Sequence, residues 1–276
     1  MWSSLLVLAA LAAGNDGFSQ KMLEDIYASV TPAIAKLEFS TEVTDPSTGE
    51  PAKRDGNALA LIVSPDGLLM THGHLVIENN EPFNLRVTVG RGDDEKKYEA
   101  TLLKKPDDLN VVFLRLKSST PLKLPYVRFA PSNSLDLGAS VALFGMLGDT
   151  LDYSCGLQVA RIASVIDKPR KTFCLDQNVR FGFIGGPVAD DQGRIVGVTG
   201  FDLSRAEGGD IYVHSGHPLV FQSALFQKYI DQPFAERDAK AERAAKAEQE
   251  QGWLGVFTQP LSDDFAEYWD LPKHGG

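Results

Sequence analysis

Cysteine is nearly absent. Cys155 and Cys174 are the only two in 276 residues. Two thiols cannot staple a small disulfide-rich fold, and a chain of this length buries a core without staples. Positive charge is also in deficit, with 27 Lys and Arg against 37 Asp and Glu and a net charge of −10. Nucleic-acid binding needs a basic footprint, so that class is set aside. Long apolar runs are missing as well. Leu5–Ala13, LLVLAALAA, is too short to span a bilayer as a helix. It has the length of a signal-peptide core, and Ala10-Leu11-Ala12 fits a small-x-small cleavage signal, although Met1–Ser4 carries no Lys or Arg. No cysteine follows it to take a lipid. A signal peptide over residues 1–18 is expected, with an exported protein, periplasmic or extracellular, and no stable membrane anchor.

Helical periodicity is scarce between Ala33 and Val213, where short apolar runs alternate with turn clusters. Strands are expected around Ala58–Val63, Leu68–Thr71, Leu85–Val89, Val111–Leu116, Val141–Phe144, Leu157–Ile162 and Arg194–Val198. Ser64-Pro65-Asp66-Gly67 places Pro and Gly where a tight turn wants them, and Asp190-Asp191-Gln192-Gly193 is a second turn. Regular short strands without intervening helices argue an all-β barrel or sandwich. Helices are expected only near Lys21–Ser29 and Pro218–Ile230. Thr41–Asp55 reads as a polar loop, and Asp93-Asp94-Glu95 as a solvated hairpin loop.

Ala235–Gln251 is Ala-rich, pairs Glu236 with Lys240 and Glu242 with Lys246, and has no large apolar residue. It reads as a solvated helical linker, assigned to residues 233–252. Apolar residues return in Gly252–Leu261, but residues 253–276 are too few for an independent domain.

Three segments carry the candidate chemistry. Leu68–Val76 places His74 just past a strand, Leu109–Leu116 opens a strand with Asn110, and Gly182-Phe183-Ile184-Gly185-Gly186-Pro187 surrounds one residue with glycines. Together they resemble the HtrA (Deg) family of trypsin-like serine proteases, a double β-barrel followed by PDZ domains. SPDGLLMTHGHLV is similar to the family's turn, strand and Thr-x-x-His-Val pattern, and NVVFLRL to its Asp-Leu-Ala-Val-Leu-Lys strand. GFIGGPVADDQGRIVGV is similar to its Gly-Asn-Ser-Gly-Gly-Pro motif and following strand. Trp253-Leu254-Gly255-Val256 resembles the opening of its PDZ domain.

The resemblance implies a chymotrypsin-like double β-barrel over residues 19–232 and an incomplete PDZ-like start over 253–276. It puts the general base at His74, but the orienting Asp falls on Asn110 and the nucleophilic Ser on Ile184. Acyl transfer needs an ionisable hydroxyl or thiol beside the base, and Ile has neither. No Ser, Thr or Cys lies within five residues of Ile184. Asp108 is a substitute carboxylate only if the strand register shifts. The family's two oxyanion donors would be the backbone N–H groups of Gly182 and Ile184. If that frame keeps its geometry, Ile184→Ser should give weak activity and Asn110→Asp should add up to about 10⁴-fold.

The reading is therefore a non-catalytic pseudoprotease that binds unfolded proteins or peptides, or assembles with active relatives, in homo- or hetero-trimers. The alternatives are an active serine-type endopeptidase in proteolysis and protein quality control with a non-standard site, and a structural subunit of a hetero-oligomer. No cofactor and no metal are expected; the His72-x-His74 pair lacks a third ligand. Export permits a disulfide between Cys155 and Cys174, but a hairpin turning near Lys168-Pro169 puts them out of register. His214 and His217 are read as packing or surface residues.

Overall fold

The computed structural model describes residues 17–44, 48–76, 81–106, 109–131, 135–168, 170–201, 203–205, 212–214 and 217–234. The expected linker beyond Phe234, the PDZ-like segment, Asp108 and all but the last two residues of the expected signal peptide lie outside them.

Two closed antiparallel barrels follow one another. The first holds β1 (Ile34–Thr44), β2 (Pro51–Ile62), β3 (Leu68–His72), β4 (Phe83–Val89), β5 (Lys96–Lys104) and β6 (Val111–Leu116), joined in the order β1-β2-β3-β6-β5-β4. The second holds β7 (Ser140–Met146), β8 (Cys155–Ile166), β9 (Thr172–Leu175), β10 (Pro187–Asp190), β11 (Ile195–Gly200) and β14 (Leu219–Gln222), in the order β10-β11-β14-β9-β8-β7. β12 (Leu203–Arg205) and β13 (Tyr212–His214) pair as a separate hairpin. The fold is the all-β double barrel expected, and every strand expected from the sequence has its counterpart.

Two expectations are corrected. Thr41–Asp55 is not simply a loop: β1 and β2 stay in register from Ile34↔Leu61 out to Thr44↔Pro51, a long hairpin arm. Its outer residues are polar because they pair with each other away from the core, so they lose the alternation that marks a half-buried strand. The segment from Pro218 is not helical at once. Leu219–Gln222 forms β14, and the helix α2 runs over Ser223–Asp231. Leu219, Val220 and Phe221 are all buried, and a short wholly buried strand has no period to separate it from a helix.

The helix α1 (Gln20–Val30) is capped by Ser19, whose hydroxyl accepts from Met22 N–H, and buries Ile26 and Val30. It packs on the second barrel: the Tyr27 ring meets Phe144 at 6.4 Å and its hydroxyl donates to Cys155 O at 3.0 Å. α2 follows the second barrel but returns to the first, where Tyr229 and Phe234 lie 5.7 and 6.0 Å from Phe113 of β6. One apolar core runs through Leu37, Leu61, Phe113, Phe144, Phe221 and Phe226, and so through both barrels, and a second, with Leu143, Ile162, Phe173 and Val188, fills the second barrel alone. Both cysteines are free thiols. Cys174 stands opposite Ser164, far along β8 from Cys155.

Candidate functional site

β3 ends at His72 and turns into a short 3₁₀ helix, Gly73–Leu75, which carries His74. Gly73 donates to Asn110 O at 2.8 Å, and a Cβ on it would lie 2.0 Å from Asn110 Oδ1. Only glycine lets the turn close on the start of β6 this tightly. Opposite, from the second barrel, Arg180–Ile184 forms a tight turn in which Phe183 N–H donates to Arg180 O and Ile184 N–H to Phe181 O. The glycines of this turn are set by contact. A Cβ on Gly182 would lie 1.9 Å from Met146 O, and one on Gly186 would lie 2.0 Å from Phe144 O. Gly185 has φ +86°, the left-handed region. Thr199 of β11 locks the turn by donating its hydroxyl to Phe183 O.

The two turns face each other across the groove between the barrels. A cavity of about 290 Å³ lies there, lined by Asn57, Ala58, Leu59 and His74 on one side and by Met146–Gly148, Leu151, Arg180–Gly182 and Ile184 on the other. Ile184 is buried at 5% exposure, while Phe181 and Leu151 are 61% and 53% exposed at its rim. Among the described residues no hydroxyl or thiol lines this cavity. A second hollow of about 270 Å³ on the other flank of His74 runs along the hairpin arm past Phe39, Val43 and Leu75.

The structure brings His74, Gly182 and Ile184 together around one cavity. It does not bring Asn110 to His74. Asn110 Nδ2 donates to Phe201 O at 2.8 Å, and its Oδ1 is buried with no partner. The neighbour of His74 is His72. Their Nδ1 atoms lie 2.9 Å apart, and His74 N–H reaches His72 Nδ1 at 3.2 Å. Nε2 of His72 lies 3.0 Å from Phe201 O and 3.1 Å from Phe201 N. The Phe201 ring packs on His72 at 4.3 Å, and Phe181 meets His74 edge-on at 5.2 Å. The Ile184 N–H is engaged by Phe181 O at 3.0 Å, so the expected pair of open oxyanion donors is reduced at this member. Sequence reading noticed the His72-x-His74 spacing only as a possible ligand pair. Phe201 gave no signal, because its part is played by the backbone.

Among the described residues the cavity shared by His74 and Ile184 is lined by no carboxylate, and Asp55 stands in the hollow on the other flank of His74. Burial pushes the His72 imidazole down to about 3, with His74 and Lys105 adding positive repulsion against the pull of Phe201 O. Burial and Lys105 push His74 down to about 4. Both rings are neutral at pH 7. An orienting carboxylate would stabilise an imidazolium; the neutral amide of Asn110 does not.

The sequence matches the trypsin-like peptidase domain over residues 58–198, just over half of the chain. The chain belongs to the HtrA family of trypsin-like peptidases. Among curated HtrA relatives, the probable periplasmic serine endoprotease DegP-like of Chlamydia pneumoniae is 27% identical over 219 residues, 77% of this chain and 39% of its own. That of Pseudomonas fulva (strain 12-X) is 25% identical over 271 residues, 96% of this chain and 50% of its own. The chain thus spans half or less of the length of these relatives. In fold it is similar to the crystal structure of Deg5, with TM-score 0.56 and 15% identity over 79% of this chain and 99% of that one. It is also similar to the HtrA-type protease AlgW with a decapeptide, with TM-score 0.57 and 18% identity over 90% of this chain and 74% of that one. No helix of the described residues is long and apolar enough to cross a membrane.

Proposed function

We propose that this HtrA-fold chain is a non-catalytic pseudoprotease that holds unfolded or extended polypeptide in the groove between its barrels. One observation carries the reading: among the described residues, the cavity that His74 shares with Ile184 is lined by no hydroxyl or thiol to attack a carbonyl. What remains suits binding. The groove is walled by Leu59, Met146, Leu147 and Ile184, with exposed Phe181 and Leu151 at its mouth. Aromatic and aliphatic side chains of that kind anchor a polypeptide through apolar burial. The signal-like N-terminus and the periplasmic description of the relatives support an exported protein. Assembly with copies of itself or with active relatives belongs to the same reading.

The test uses the full chain. Casein cleavage and labelling by a serine-directed fluorophosphonate should both stay at background. A fluorescent unfolded casein should bind, and Phe181→Ser should weaken that binding about tenfold, the loss of one buried aromatic anchor. A covalent label on any residue of the barrels would overturn the non-catalytic reading. Binding unaffected by Phe181→Ser would remove the groove as the site.

A further inference from the structure

We infer that His72, and not Asn110, positions His74, fixing it as the tautomer that carries its proton on Nδ1 and turns a bare Nε2 toward the groove. The inference concerns the ring itself and stands whether or not the groove cuts or binds.

His72 is wholly buried, and a buried imidazole is costly unless both its nitrogens are bonded. A neutral ring has one N–H and one acceptor, so only two arrangements are open. In the first, His72 carries its proton on Nε2 and donates to Phe201 O. Its Nδ1 then accepts from the backbone N–H of His74 and from the Nδ1–H of the His74 ring. That makes three hydrogen bonds at 3.0, 3.2 and 2.9 Å. In the second, His72 carries its proton on Nδ1 and donates to His74 Nδ1, while Nε2 accepts from Phe201 N–H at 3.1 Å. That makes two, and it turns an N–H of His72 toward the backbone N–H of His74. The first arrangement sets one pair in opposition, Nε2–H against Phe201 N–H at 3.1 Å, whereas the second sets two, Nδ1–H against His74 N–H and a bare Nε2 against Phe201 O at 3.0 Å, so the first makes more bonds and opposes fewer groups. Asn110 makes no hydrogen bond to the His74 ring: its Nδ2 donates to Phe201 O and its unpaired oxygen lies over Gly73.

His72 therefore does with a neutral nitrogen what a carboxylate does with a charge. It holds the proton of His74 on the inner nitrogen, without the attraction that would let the ring become a cation. The ring hydrogen bond of His74 to a described residue is made at Nδ1, which leaves Nε2 bare, and His74 lines both hollows. Where the groove holds a polypeptide, which rests on the reading above, His74 offers it an acceptor for a backbone N–H or hydroxyl.

The experiment is a long-range ¹H–¹⁵N correlation spectrum of the labelled full chain at pH 7, with His74 assigned by the loss of its signals in His74→Gln. Nδ1 of His74 should be the protonated, pyrrole-type nitrogen and Nε2 the pyridine-type. His72→Asn keeps an acceptor at the place of Nδ1 and should preserve that pattern. His72→Phe fills the space without an acceptor and should lose it, and Asn110→Ala should leave it unchanged. A wild-type spectrum with the proton of His74 on Nε2 overturns the inference without any variant. So does a pattern that survives His72→Phe but is lost in Asn110→Ala. A chain that shows the expected spectrum but binds no polypeptide would keep this inference and lose the binding reading; the converse would do the reverse.

Discussion

His72 and His74 tie stability to pH through two residues. An unfolded imidazole titrates near 6.5, and in the fold the two are depressed to about 3 and about 4. A depressed pKa means that protons bind the unfolded chain first, so the fold loses stability as pH falls from about 6.5 toward 4. For His74 the shift corresponds to roughly 3 kcal/mol. We expect the melting temperature to fall between pH 7 and pH 4.5, and to fall distinctly less in His74→Gln; equal slopes in the two proteins would contradict the depression. The same pair alters what reversion can do. Ile184→Ser should give at most weak turnover, because the N–H of residue 184 is turned to Phe181 O. Adding Asn110→Asp should yield far less than the roughly 10⁴-fold that the orienting carboxylate is worth in trypsin, since His72 already occupies Nδ1 of His74. A triple variant with His72→Ala should exceed the double in casein hydrolysis, and a double variant that recovers the full factor would show that Asn110 faces the ring after all. His74, Ile184 and the glycine frame were legible in the sequence because they sit at motif positions of fixed spacing. His72 as the partner of His74 was not. An i, i+2 pair on an extended strand shares a face without touching, and only the 3₁₀ turn at Gly73 brings the two nitrogens to hydrogen-bonding distance.

At the scale of elements, the strands were readable wherever one face meets the core and the other meets water, as in Phe83–Val89 with Leu85 buried between exposed Asn84 and Arg86. Legibility ended where burial or pairing removed the period, in the polar outer arm of β1 and β2 and in wholly buried β14. The turn that carries Ile184 depends on its glycines more than on its isoleucine. A Cβ at Gly186 meets two carbonyl oxygens, Phe144 O at 2.0 Å and Phe183 O at 2.9 Å, and backbone cannot step aside as a side chain can. Gly186→Ala should cost about 3 kcal/mol or more in urea unfolding. A cost below about 1 kcal/mol would mean the turn and β7 are less closely apposed than described.

For the molecule as a whole, the shared core predicts that the barrels do not unfold separately. Phe144, Phe221 and Phe226 belong to the same apolar cluster as Leu37, Leu61 and Phe113. Native-state hydrogen exchange should give the amides of β3 and of β7 the same opening free energy, with the same urea dependence. A second barrel that opens at lower urea than the first would show two independent units. The two terminal helices strengthen the expectation, since each is tied to the barrel farther from it along the chain: α1 to the second through Tyr27, α2 to the first through Tyr229 and Phe234. During synthesis this crossing imposes a wait. As the first barrel leaves the ribosome, Phe113 lacks the rings that cover it until residues 229–234 have emerged, and α1 has nothing to dock on until the second barrel is made. The nascent chain therefore carries an uncovered apolar patch from the completion of the first barrel until residues 229–234 emerge, an interval in which a holdase has something to hold.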